Sequence, residues 1–138
     1  MRPRIFGPYE AIRRDYPIEE YLSDIRSCGV AKSVYVQTNW PPGGELAEAA
    51  WVQQVADWHG FPHAFVGYAD LQSDTLAATL DAMRRHGGLR GIRQQVHWHA
   101  NPAYRFAAQP ALVNDAGWRR GLRAVAERGL LFELQVFA

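Results

Sequence analysis

Cysteine is nearly missing from this chain: Cys28 is the single one. One thiol excludes a disulfide framework and points to a reducing compartment, with Cys28 itself expected as a small core residue. Long apolar runs are missing too, so no segment is expected to cross a membrane. No apolar stretch follows Met1-Arg2-Pro3-Arg4-Ile5-Phe6, so no secretory signal is expected and the cytoplasm is the expected location. Charge of one sign is also scarce. The net charge of +1 gives no electrostatic case for nucleic acid or an acidic membrane as partner. Finally, Pro41-Pro42-Gly43-Gly44 lacks the spacing of a dinucleotide-binding loop.

What is present suits one domain: 138 residues, 48% of them apolar. Pro3, Gly7 and Pro8 mark residues 1–14 as an irregular N-terminal arm. Asp15-Tyr16-Pro17 opens a helix that carries Ile18, Tyr21, Leu22, Ile25 and Cys28 at helical spacing and stops at Gly29. Residues 32–37 are β-branched and aromatic and predict a strand. A helix is expected from about Glu45 to Trp58, with Ala49, Val52, Val55 and Ala56 inward and Gly60 as its end. Residues 63–69 predict a second strand. Ser73 or Asp74 should cap a helix carrying Leu76, Leu80 and Met83. The third strand is centred on Gly88-Leu89-Arg90-Gly91-Ile92-Arg93-Gln94-Gln95, and a long loop to Asn114 follows. Asp115 should cap the last helix, and residues 130–136 form the last strand.

Strands alternating with helices imply parallel pairing in an α/β fold. On a period of two, Ile92 opposes Gly91, Arg93 and Gln95. Leu130, Phe132, Leu134 and Val136 oppose Leu131, Glu133 and Gln135, and Val34 and Val36 oppose Ser33, Tyr35 and Gln37. A flat sheet with helices on both sides needs two apolar faces. One apolar and one increasingly polar face instead suit parallel (β/α) units of a barrel, whose apolar outer face meets helices.

Four phrases then carry a resemblance: Lys32-Ser33-Val34-Tyr35-Val36-Gln37, Val66-Gly67-Tyr68-Ala69-Asp70-Leu71, Leu89-Arg90-Gly91-Ile92-Arg93-Gln94 and Gly129-Leu130-Leu131-Phe132-Glu133-Leu134-Gln135-Val136. In this order the chain resembles the amidohydrolase-related metal-dependent hydrolases of TIM-barrel fold. The branch is that of sugar lactonases and the pyrone-dicarboxylate lactonase. The resemblance implies a hydrolase that opens a small cyclic ester, a lactone above all, or an amide by a metal-activated water. It also implies a divalent metal, zinc or similar, as cofactor. The family's first strand carries a His-x-His pair, and no histidine precedes Asp15. The chain is therefore expected to supply about strands two to five of eight, as an N-terminal-half fragment. Alone it should be inactive and hold no tight metal.

Arg93, near a strand end, suits an anion or an internal carboxylate such as Glu133. By resemblance it is the arginine that binds a substrate carboxylate. Gln37, Thr38 and Trp40 follow the first strand and are candidate substrate contacts, as is Gln135 at the end of the last. His97 and His99 form a His-x-His, but no acidic partner is near in sequence. Lining a pocket, where an imidazole touches substrate, ranks above holding metal, and an ordinary loop role ranks above both. His59, His63 and His86 lie at strand starts and helix ends and should be structural. The expected partner is a small carboxylate or lactone. Open sheet edges, and inner faces around Phe65 and Leu131, should favour self-association. A non-catalytic half-barrel that self-associates or binds a small anion is the competing reading. A flat nucleotide-binding domain ranks last.

Overall fold

The computed structural model describes residues 9–136; residues 1–8 of the expected arm lie outside them. Within the rest of the arm, Glu10–Ile12 forms a short 3-10 turn. Four helices follow: α1 (Ile18–Ile25), α2 (Glu45–His59), α3 (Leu76–Met83) and α4 (Ala116–Glu127). Four strands alternate with them: β1 (Val34–Val36), β2 (Ala64–Tyr68), β3 (Leu89–Gln95) and β4 (Leu131–Gln135). The strands form one parallel sheet in the order β1-β2-β3-β4.

Register decides which residues share a face. Tyr35 pairs with Phe65, Gly67 with Ile92, and Ile92 with Phe132. This set meets the helices: Tyr35 packs on Trp51 of α2, Met83 of α3 approaches Gly67, and Trp118 of α4 packs edge-on against Phe132. Leu80, Met83, Ile92 and Val125 are wholly buried in this layer. Each such side chain contributes about 1.5–3 kcal/mol of transfer free energy. The other face carries Val36, Val66 and Gly91, then Tyr68, Arg93 and Glu133, then Gln95 and Gln135, row by row. Strand order that follows chain order, with α2, α3 and α4 on one face, is the arrangement of barrel units. A doubly wound sheet would reverse its order and place helices on both faces.

Three expectations are corrected. In β1 it is Tyr35, not Val34 and Val36, that faces the helices. Tyr35 turns there because Glu48 of α2, 3% exposed, accepts its hydroxyl at 2.7 Å, while Val34 is left 57% exposed. Phe65 is buried on the helix side, so Leu131, 72% exposed, meets solvent without it. Cys28 is exposed, because α1 ends at Ile25 and Cys28 falls in the following turn, where its thiol donates to the Asp24 carbonyl. A smaller change concerns α3, where Thr75 is the N-cap residue and Ser73 Oγ accepts from its N–H at 3.2 Å.

The cap of α4 is as expected: Asp115 accepts from Trp118 N–H at 2.8 Å. α4 lies against the loop after β2 so closely that a Cβ on Gly121 would sit 2.1 Å from the Leu71 carbonyl oxygen. Glycine at 121 thus sets the distance between α4 and a loop that forms the site below.

Candidate active site

Parallel strands deliver their following loops to one edge, and a cavity of about 650 Å³ opens there. That size suits a small-molecule ligand. The loop after β1 contributes Asn39, Trp40, Pro42, Gly43 and, at the start of α2, Glu45. The loop after β2 contributes Asp70, Gln72 and Ser73, with Tyr68 at the strand end. From β3 come Gln94 and Gln95, and from its long following loop Arg105, Phe106 and Ala107.

The first of these loops is held from below. Glu48 Oε1 accepts from Thr38 N–H at 2.9 Å as well as from Tyr35. The Tyr35 hydroxyl is pushed up to about 12, first by burial and then by this carboxylate. Gln37 is buried, and its Oε1 accepts from Asn39 N–H at 2.8 Å. Asn39 adopts a left-handed φ of 62°, a conformation that asparagine tolerates better than most residues.

A second network fixes the cavity's carboxylate wall. Gln94 is buried, accepts from the Trp118 indole at 2.8 Å and donates to Asp70 Oδ1 at 3.2 Å. The same Asp70 oxygen accepts from Gln72 N–H, and Gln72 donates onward to Asp115. Helix α4 and the loop after β2 are thereby joined through side chains. Tyr68 is held above the usual phenol range, first by burial, then by the carboxylates of Asp70 and Glu45. It stays protonated near neutrality, so its hydroxyl remains available to donate a hydrogen bond.

The long loop closes on itself. The His97 carbonyl accepts from both Phe106 and Ala107 N–H, at 3.1 and 2.9 Å. Two 3-10 turns, Pro102–Tyr104 and Leu112–Asn114, order its remainder. His97 is buried against Phe106, with ring centroids 4.6 Å apart. His99 is exposed, accepts from Asn101 N–H at 2.9 Å and meets Tyr104 edge-on.

Of the residues singled out in the sequence, Trp40 lines the cavity, its ring tilted by 37° against that of Trp51. Arg93 lies on the helix-free face and is paired with Glu133, its Nε 3.0 Å from Oε1. Gln135 accepts from Gln95 at 3.1 Å on that face, one row further toward the strand ends. Gln37, Thr38, His97 and His99 support the loops around the cavity in the ways described above. His59, His63 and His86 lie away from it: His59 is 3.9 Å from Glu19, His63 packs on Phe61, and His86 faces Phe65. Sequence reasoning does not single out Tyr68, Asp70, Gln94 or Arg105. The available signal was Trp118 in the first turn of α4, whose indole needs an acceptor once buried. Among the described residues no three His, Cys, Asp or Glu stand together as ligands for a metal ion.

Comparison with known proteins places this geometry. Uncharacterized protein y4mH of Sinorhizobium fredii is 36% identical over 137 residues, covering 99% of this chain and 46% of the relative. The crystal structure of an amidohydrolase from Burkholderia multivorans with bound zinc is similar with a TM-score of 0.73 at 25% identity, over 93% of this chain and 41% of that one. A probable 2-pyrone-4,6-dicarboxylic acid hydrolase from Acinetobacter baumannii, with citric acid bound, shares the fold at a TM-score of 0.60 and 18% identity. The chain spans less than half the length of these proteins. Its four parallel strands correspond to part of a TIM barrel. The amidohydrolase family model matches residues 1–138, and the chain belongs to that family.

Proposed function

We propose that this chain forms the substrate-binding half of a hydrolase that opens a small, hydroxylated cyclic ester, a lactone rather than an amide. The supporting observation is the chemistry of the cavity. Glu45, Asp70, Asn39, Gln94 and Gln95 offer acceptors and amide donors, and Trp40 and Phe106 offer aromatic surface. Neighbouring hydroxyls on a ring are matched by such alternating acceptors and donors, and its C–H faces by aromatic rings. A planar dicarboxylate would meet two carboxylates and one arginine, an unfavourable balance.

In hydrolysis a water oxygen bonds to the ring carbonyl carbon, the ring C–O bond breaks, and a hydroxy acid results. Tyr68 donates a hydrogen bond to a substrate oxygen, and Asp70, steadied by Gln94, accepts from a ring hydroxyl. The described residues do not fit a metal ion, so activation of the water is not assigned to them. The cytoplasm fits the single cysteine, and no helix among the described residues is long and apolar enough to cross a membrane.

Binding of a panel of aldonolactones and of the matching lactams, followed by calorimetry, tests the proposal. Lactone binding abolished by Tyr68→Phe together with Asp70→Asn supports it. Binding indifferent to both substitutions, or confined to the lactams, contradicts it.

A second reading is a non-catalytic half-barrel that self-associates. The edge strands β1 and β4 favour it, since a strand unpaired along one side is a template for pairing with another chain. A sedimentation coefficient that rises with concentration supports association, and a monomer at every concentration counts against it.

A further inference from the structure

We infer that Arg105, and not Arg93, is the anion-recognising residue of the cavity, and that the ligand carries one carboxylate. For the ligand being a lactone this rests on the function proposed above; for the anion it does not. Among the described residues Arg105 is the only cation lining the cavity. Arg93 already has Glu133 as its counter-ion, and it does not line the cavity.

The state of the Arg105 guanidinium supports this. Its Nε donates to the His99 carbonyl at 3.0 Å, and Nη2 donates to the Ala100 carbonyl at 2.8 Å. The group also lies over the Trp98 ring, 5.2 Å from its centroid. These contacts fix the plane of the guanidinium and leave the Nη1 donors without a hydrogen-bond partner among the described residues. No carboxylate among the described residues pairs with it. A half-buried positive charge with carbonyl partners alone remains open to an anion, and a guanidinium held in place loses little entropy on binding one.

Glu45 and Asp70 belong to the first two loops and Arg105 to the third. The cavity is thus polarised, with acceptors for hydroxyls on one side and one cation on the other. A monoanion with a hydroxylated chain fits this better than a neutral polyol or a dianion. The carboxylate produced when a lactone opens would be held in the same way.

The test uses two probes of one carbon skeleton, neutral galactitol and its monocarboxylate relative galactonate, with binding followed by NMR titration. Galactonate should bind about tenfold more tightly than galactitol. Arg105→Gln should erase that preference by weakening galactonate binding more than galactitol binding, while Arg93→Gln should leave the preference intact. The inference is overturned by an absent preference in the native protein, or by a preference that survives Arg105→Gln. Loss of the preference in Arg93→Gln would overturn it too. Equal loss of both ligands in Arg105→Gln would also overturn it, since Arg105 would then only staple its loop. Lactone binding separates the two claims: a galactonate preference in a protein that binds no aldonolactone leaves the inference standing and removes the lactone reading, whereas aldonolactone binding without any galactonate preference does the reverse.

Discussion

Arg93 and Glu133 occupy paired positions on β3 and β4, and the Arg93 Nε donates to Glu133 Oε1 at 3.0 Å on the face without helices. Glu133 is 42% exposed along its side chain, so solvent weakens the attraction. A double-mutant cycle on Arg93→Gln and Glu133→Gln, read by thermal or urea unfolding, should give a coupling of about 0.5–1 kcal/mol. It should fall as salt is added. A coupling of several kcal/mol, insensitive to salt, would mean that the pair is enclosed in solution.

Gln94 connects the buried Trp118 indole to Asp70, and its replacement should be felt at both ends. Gln94→Leu leaves the indole N–H buried without an acceptor, at a cost of about 1–3 kcal/mol. Ligand binding should weaken as well, because Asp70 loses its support. Unfolding midpoints and tryptophan fluorescence check the first effect, and galactitol titration checks the second.

Acid should loosen the start of α4. Asp115 is held below the ordinary carboxylate range, first by the Trp118 N–H and then by Gln72. A depressed folded pKa stabilises above the unfolded value, and that contribution disappears as pH falls through the folded value. Asp115→Asn keeps a capping oxygen without the titration. Between neutral pH and the acid side of the carboxylate range, the native melting temperature should therefore fall further than that of Asp115→Asn. Parallel curves would contradict this assignment.

Much of the fold was legible because period and polarity agree in β3 and β4. Ile92 and Phe132 share one face, and Arg93, Glu133, Gln95 and Gln135 the other, in the expected phase. β1 was misleading because alternation shows only that two faces differ. Tyr35 prefers the helix side because a buried carboxylate on α2 awaits its hydroxyl. The cavity was harder to foresee. Gln94 shares the phase of Ile92, which marks a core position, and its partners Trp118 and Asp70 lie 24 residues away in either direction. Arg105 gains its importance from a loop that closes on the His97 carbonyl, a contact with no periodic signature.

The central claim is that the ligand binds at the carboxyl ends of the strands. NMR titration with a hydroxylated lactone tests it most directly, using assigned backbone amides and tryptophan indoles. The predicted result is saturable shifts at Trp40, Tyr68, Asp70, Gln95 and Phe106, with little change elsewhere. A smaller cleft at the opposite end of the sheet, lined by Arg84, His86, Arg90 and Arg128, provides the contrast. Shifts confined to that cleft, with Trp40 and Tyr68 silent, would contradict the account.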